Sequence, residues 1–100
     1  MHAIVTVAEG SAVIRLEGRF DFNGHRDFRE AADTVLASPV TSIAVDFAAV
    51  DYVDSSALGM LLMLRDRAKH VGREVKLVAC HGAVRQVLDI ANFSKLFSIS

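Results

Sequence analysis

The residues with the clearest chemical potential are Asp54-Ser55-Ser56, followed at once by the apolar run Ala57-Leu58-Gly59-Met60-Leu61-Leu62-Met63-Leu64. Asp54 or Ser55 can cap the helix this run predicts, because a short side-chain oxygen accepts a hydrogen bond from a free N–H of the first turn. A serine at such a place is also an accessible hydroxyl, either a nucleophile or a group for another enzyme to modify. The first role needs a positioned base. No G-x-S-x-G elbow is present, an adjacent Asp54 cannot replace an imidazole, and His2, His25, His70 and His81 are scattered. Cys80-His81 supplies two metal ligands where a closed site needs four, so Cys80 reads as a buried structural thiol. No phosphate-binding G-x-x-x-x-G-K-[ST] loop occurs. These residues predict a protein that is not an enzyme and has no cofactor or metal of its own.

What the same helix exposes is the second signal. Ala57, Leu61, Leu64, Ala68 and Val71 follow alternating spacings of four and three, a complete core-facing stripe. Leu62 and Met63 then fall on the opposite side, beside Gly59 and Asp66, and Ser55 lies on that outward face too. A surface helix that stays apolar around its circumference needs another covering, and a Met there suits an adaptable contact. Two coverings are open: the C-terminal tail of this chain, or a partner bound across Gly59, Leu62, Met63 and Asp66.

The elements that must position these residues follow from periodicity. Ala3–Val7 and Ala12–Glu17 read as strands around a Gly10 turn, a hairpin. Asn23 suits the N-cap of a helix carrying Phe28, Ala31, Ala32, Val35 and Leu36, which Ser38-Pro39 stops. Ile43, Val45 and Phe47 alternate as a strand. A helix over about Ser55–Val71 ends at Gly72, Val75–Ala79 forms another strand, and Val84, Val87, Leu88 and Ala91 mark a third helix with Asn92 at its end. Phe93–Ser100 adds a short strand. The prediction is an α/β fold: a mixed sheet, antiparallel in its opening hairpin and parallel beyond it, with helices mainly on one face. Asp21 then follows the second strand, and Asp51, Asp54 and Ser55 follow the third, on one rim where the carboxyl ends of parallel strands gather functional loops.

Composition sets the outer bounds. The 100 residues make one domain, residues 1–100, and 52% hydrophobic against 23% charged residues exclude disorder as its main state. Eleven Lys+Arg against twelve Asp+Glu leave a net charge of −1, which gives no support for nucleic-acid binding. The run Ala57–Leu64 is far short of the ~20 residues that cross a bilayer, so direct membrane insertion is not expected. The opening Met1-His2-Ala3-Ile4-Val5-Thr6 lacks the pattern of a secretory signal, and the lone Cys80 cannot form an internal disulfide. A cytoplasmic location is the expectation.

The chain resembles the STAS domain family, specifically the bacterial anti-sigma-factor antagonists. The resemblance covers nearly all of it: the opening hairpin, Gly18-Arg19-Phe20-Asp21, Ile43-Ala44-Val45-Asp46-Phe47, and above all Asp54-Ser55-Ser56-Ala57-Leu58-Gly59, which looks like the family's phosphorylation motif. Ala57 stands where Gly is more frequent, and many members continue into a further helix beyond the equivalent of Ser100. The resemblance implies phosphorylation at Ser55, with Asp21, Asp54 and Ser56 around the phosphosite. It implies that the unphosphorylated form binds an anti-sigma factor that is also a serine kinase of the histidine-kinase-like ATPase fold. Phosphorylation would release that partner, and a metal-dependent serine phosphatase would reset the cycle. The alternative is a STAS-like docking subunit of a transporter or sensory complex with no phosphorylation cycle.

Overall fold

Alternating β-branched residues build the first two strands, β1 (His2–Ala8) and β2 (Ser11–Phe20), joined by a two-residue turn. Gly10 sits there at φ 74°, a left-handed value that glycine adopts without strain. The computed structural model describes residues 1–100. After β2, a 3-10 turn (Phe22–Gly24) leads into α1 (His25–Leu36), followed by β3 (Ser42–Val53), α2 (Ser55–His70), β4 (Glu74–Val78), α3 (Gly82–Ile90), a second 3-10 turn (Phe93–Lys95) and β5 (Ser98–Ile99). The five strands lie side by side in chain order. β1 and β2 are antiparallel, and every later pair is parallel. The short tail strand therefore closes a third strand–helix–strand crossover.

Successive crossovers moving one way across a sheet put their helices on one face if each is right-handed. Burial agrees. Ile14, Val45 and Leu77 stand in register on neighbouring strands, and all are fully buried. They join Phe28 and Val35 of α1, Leu61 and Leu64 of α2, and Val84 and Leu88 of α3 in one core cluster of 25 residues. Ala44, which points to the other face, is the one buried apolar side chain outside that cluster. Phe20 anchors the end of the core nearest the rim, its ring centroid 5.0 Å from Phe28 and 6.3 Å from Phe47. Each such aromatic or aliphatic side chain contributes about 1.5–3 kcal/mol by leaving water.

Three sequence expectations change. Asn23 does not cap α1; it lies inside the 3-10 turn, and Gly24 precedes the helix with no side-chain cap. Asp21 caps that turn instead, by accepting from the Asn23 N–H. Val71 leaves the core stripe: it is 55% exposed, whereas Ala57, Leu61, Leu64 and Ala68 are fully buried. The helix has already ended at His70, and Gly72 at φ 74° turns the chain away. Third, β3 runs six residues past Phe47. Two register shifts against β2 each insert an extra residue on the β3 side, which breaks the period-two signal over Ala48–Val53.

Arg73 ties the far end together, donating to the last carbonyls of α1 at Val35 (3.2 Å) and Leu36 (2.7 Å). The contrast between Leu61 and Val71, both on the predicted stripe, is testable by urea unfolding. Leu61→Ala is expected to cost about 2–5 kcal/mol through cavity formation, and Val71→Ala no more than about 0.5 kcal/mol.

Candidate functional site

The β2·β3 ladder extends to the pair Phe20↔Val53, and the next backbone bond, Asp54 N–H to the Phe20 carbonyl at 3.3 Å, fastens the two outgoing loops to each other. Asp21 and Asp54 each stand one residue beyond the last paired position, on strands about 4.8 Å apart. Asp21 and Asp54 thus meet at the expected rim, whereas Asp51, expected beyond the third strand, lies inside β3, because the strand runs on to Val53.

Asp54 is the cap of α2: its backbone is extended and its Oδ1 accepts the Ala57 N–H at 2.9 Å. Of the two capping residues open in the sequence, Asp54 takes the role. Ser55 is the first helical residue and is exposed, and Ser56 is half-buried. The Ser55 hydroxyl therefore stands in solvent at the N-terminus of a 16-residue helix whose last turn carries Arg67, Lys69 and His70. Free N–H groups and the helix dipole favour negative charge at that end.

Asp21 is restrained twice. One carboxylate oxygen accepts the Asn23 N–H at 3.0 Å, and the other lies 3.7 Å from Arg19 Nε. The Arg19 guanidinium in turn sits 4.0 Å above the Tyr52 ring. Arg19 and Tyr52 thus form the basic and aromatic side of the rim, which sequence reasoning missed. Their pairing depends on the register shift between Gly18 and Arg19, invisible to periodicity. Phe22 was missed as well. It is 69% exposed on the turn that Asp21 caps, with its ring centroid 6.2 Å from His25. The Asp21-Phe22-Asn23-Gly24 turn composition was the available signal. Beneath that turn a Cβ at Gly24 would lie 2.9 Å from Met1 Cε, so the absence of a side chain lets Met1 pack there.

On the outward side of α2, Gly59 and Asp66 are exposed, while Leu62 and Met63 are half-buried. Met63 Sδ lies 3.8 Å from Arg67 Nη1, which also pairs with Asp33 of α1 at 2.8 Å. On the other flank Arg65 donates to the Leu96 carbonyl at 2.9 Å and tethers the tail. Leu62 packs partly against the core. The surface Gly59–Leu62–Met63–Asp66 is thus flanked rather than covered by the rest of the chain.

The remaining polar groups do not converge. Nowhere do three or more His, Cys, Asp or Glu gather as a metal site. Cys80 is half-buried rather than buried, and loss of water around it pushes its thiol up to about 11; Arg85 opposes the shift and Asp89 and Asp46 reinforce it. His81 Nε2 lies 3.1 Å from the Ala48 carbonyl. No helix is long and apolar enough to cross a membrane.

The five-stranded mixed sheet, antiparallel only between β1 and β2, and its three helices match the STAS fold. A family model described as "Mlab, STAS domain" matches residues 5–98. The chain belongs to the STAS domain family. A STAS-domain-containing protein of Pseudomonas aeruginosa (strain UCBPP-PA14) is 47% identical over 87 residues, which is 87% of this chain and 85% of that protein. Among solved structures, the unphosphorylated anti-sigma factor antagonist SpoIIAA superposes with a TM-score of 0.71 at 24% identity, covering 88% of this chain and 82% of SpoIIAA. An anti-sigma factor antagonist from Mycobacterium paratuberculosis reaches 0.86 at 21% identity, over 97% and 82%. A sulfate transporter family protein from Wolinella succinogenes reaches 0.79 at 14% identity, over 94% and 79%. At these identities the likeness is one of fold.

Two measurements check the site's local chemistry. Asp54→Ala is expected to lose about 1 kcal/mol in chemical denaturation, and Asp54→Ser to retain most of that. Alkylation of Cys80 by iodoacetamide at pH 7.5 is expected to run about tenfold slower in the native than in the urea-unfolded protein, since the raised pKa depletes the thiolate and the greater basicity of what remains offsets part of that loss. The native rate should still be rising at pH 10.

Proposed function

We propose that this chain is an antagonist in a partner-switching pathway, binding an anti-sigma factor with serine-kinase activity until phosphorylation at Ser55 releases it. The carrying observation is the division of labour at the start of α2: Asp54 makes the cap, and Ser55 keeps an exposed hydroxyl beside it. The anti-sigma factor antagonists among the structural neighbours support the reading. In this proposal Asp21, Asp54 and Ser56 form the phosphosite environment, and Gly59, Leu62, Met63 and Asp66 meet the partner. The kinase has the histidine-kinase-like ATPase fold and brings the ATP. A metal-dependent serine phosphatase restores the binding form. The setting is cytoplasmic, and the controlled process is transcription.

Electrostatics supplies the release. A phosphate on Ser55 adds about −1.5 to −2 charge. Free N–H groups and the dipole at the start of α2 accommodate it, so the domain need not unfold. A partner carboxylate ~7 Å away is repelled by roughly 1–2 kcal/mol at an effective dielectric of 20–40. Two such contacts and the desolvation of the phosphate weaken binding ~10²–10³-fold.

Docking without a phosphate cycle, as a subunit of a transporter or sensory complex, is the second reading. On its side stand the "Mlab" description of the matching family model and the sulfate transporter family neighbour. Incubation with a candidate kinase and ATP, followed by mass spectrometry, separates the two. Phosphate at Ser55 is the expected result; a stable complex with no transferred phosphate favours docking. Ser55→Ala should bind the kinase yet accept no phosphate, and Ser55→Asp should lose ~10²-fold in affinity by calorimetry. An aspartate variant that bound like wild type would sink the electrostatic account.

A further inference from the structure

The far edge of the sheet carries a feature that the Ser55 rim does not use. β1 is an edge strand, and its sequence, His-Ala-Ile-Val-Thr-Val-Ala, has no Lys, Glu, Asp or Pro. Its pairing with β2 runs without a register shift, and Ile4 and Val7 are each 47% exposed. Free edges are normally blunted by charge, proline or a bulge, because each unpaired N–H and C=O invites another strand. None of these devices is present here.

The hairpin sets which groups are free. A two-residue turn closes on a hydrogen-bonded pair, here Ala8 with Ser11, and hydrogen-bonded pairs alternate along an antiparallel ladder. The backbone groups of His2, Ile4, Thr6 and Ala8 therefore face β2. Those of Ala3, Val5 and Val7 face outward. Above this edge lies α1, and the groove between them is lined on the helix side by Asp27, Glu30 and Thr34. Neither acid takes part in any of the chain's salt bridges.

We infer that β1 accepts an extended segment of a partner protein whose alternate residues are Lys or Arg. Such a segment adds a sixth strand. Its backbone pairs with Ala3, Val5 and Val7, and every second side chain rises under α1 toward Asp27 and Glu30. Charge selects this occupant over a second copy of the chain. β1 has no Lys or Arg, so pairing with another β1 would bring only the His2 ring and the Met1 ammonium, both at one end of the strand, and it would place two α1 acidic edges near one another.

The probe is a capped heptapeptide, Val-Lys-Val-Lys-Val-Lys-Val, with a fluorophore for anisotropy at about 0.1 M salt and isotope-labelled protein for amide shifts. Binding is expected, with the largest shifts at the Ala3, Val5 and Val7 amides. The Glu-for-Lys peptide should not bind. A peptide of the same charge with its three Lys contiguous should bind about tenfold more weakly, since alternation and not charge alone is required. Asp27→Asn with Glu30→Gln should weaken the alternating peptide about tenfold. Val7→Pro should abolish binding while circular dichroism stays native, because a proline whose N–H faced solvent leaves the β1·β2 ladder intact. Ser55→Asp should bind the peptide like wild type, so failure here and failure of the phosphorylation switch remain distinct. Absence of binding, shifts confined to other strands, or a dimer through β1 in sedimentation would each overturn the inference.

Discussion

Only one strand pairing reaches the rim. β4 leaves β3 at Asp46, whereas β2 stays paired as far as Val53 and adds the Asp54 N–H to Phe20 bond beyond it. Everything placed near Ser55 depends on this ladder. It sets Asp21 beside Asp54, it carries Arg19 level with Tyr52, and it delivers the chain to α2 with Asp54 extended in the capping position. Phe20, buried against Phe28 and Phe47, holds the end of β2 from below. A site built from strand ends moves only if the sheet moves, and the shared core makes that costly.

That rigidity bears on how the proposed switch works. Asp21 and Asp54 bring two negative charges close to Ser55, and each is already engaged, by Asn23 and Arg19 in one case and by the Ala57 N–H in the other. Their carboxylates are consequently not free to rearrange when a phosphate arrives. Neither is α2, whose buried stripe from Ala57 to Ala68 is continuous with the sheet core. The new charge is therefore expressed outward, against whatever lies on the rim. An exposed Phe22 on the neighbouring turn adds apolar contact area within the same reach.

The parts of this architecture that could be read from the sequence are those governed by one periodicity at a time. Ile43-x-Val45-x-Phe47 announces a strand, and Leu61, Leu64 and Ala68 announce a buried helical face, because both patterns report burial on one side. The reading failed where two patterns overlap or a local bond overrides them. Val71 fits the helical spacing, yet the helix ends one residue before it, at His70, and Gly72 turns the chain away. Asn23 has cap chemistry, but Asp21, two residues earlier, captures its N–H and draws it into a 3-10 turn. The extra residues in β3 shift its alternation, which hid both its length and the Arg19–Tyr52 stacking. The rim placement of Asp54, Ser55 and Asp21 was legible because it follows from their positions at the ends of predicted strands; the exposure of Phe22 was not, because it is a property of the turn.

The edge and the rim are separated by the same sheet that joins the rim's parts. From β3 to the open side of β1 is two strand spacings, about 10 Å, and one more would lie beneath an added strand. The three spacings from β3 to an added strand, about 14 Å, exceed the ~10 Å Debye length at 0.1 M salt, so a phosphate on Ser55 acts only weakly on a cation held under α1. With no hinge between the two regions and one continuous core below both, occupation of β1 has no mechanical route to the start of α2. A partner added to the edge would therefore stay bound whichever state Ser55 is in. The domain would then carry one constant contact and one switched contact, which in 100 residues is possible only because neither needs the core to change.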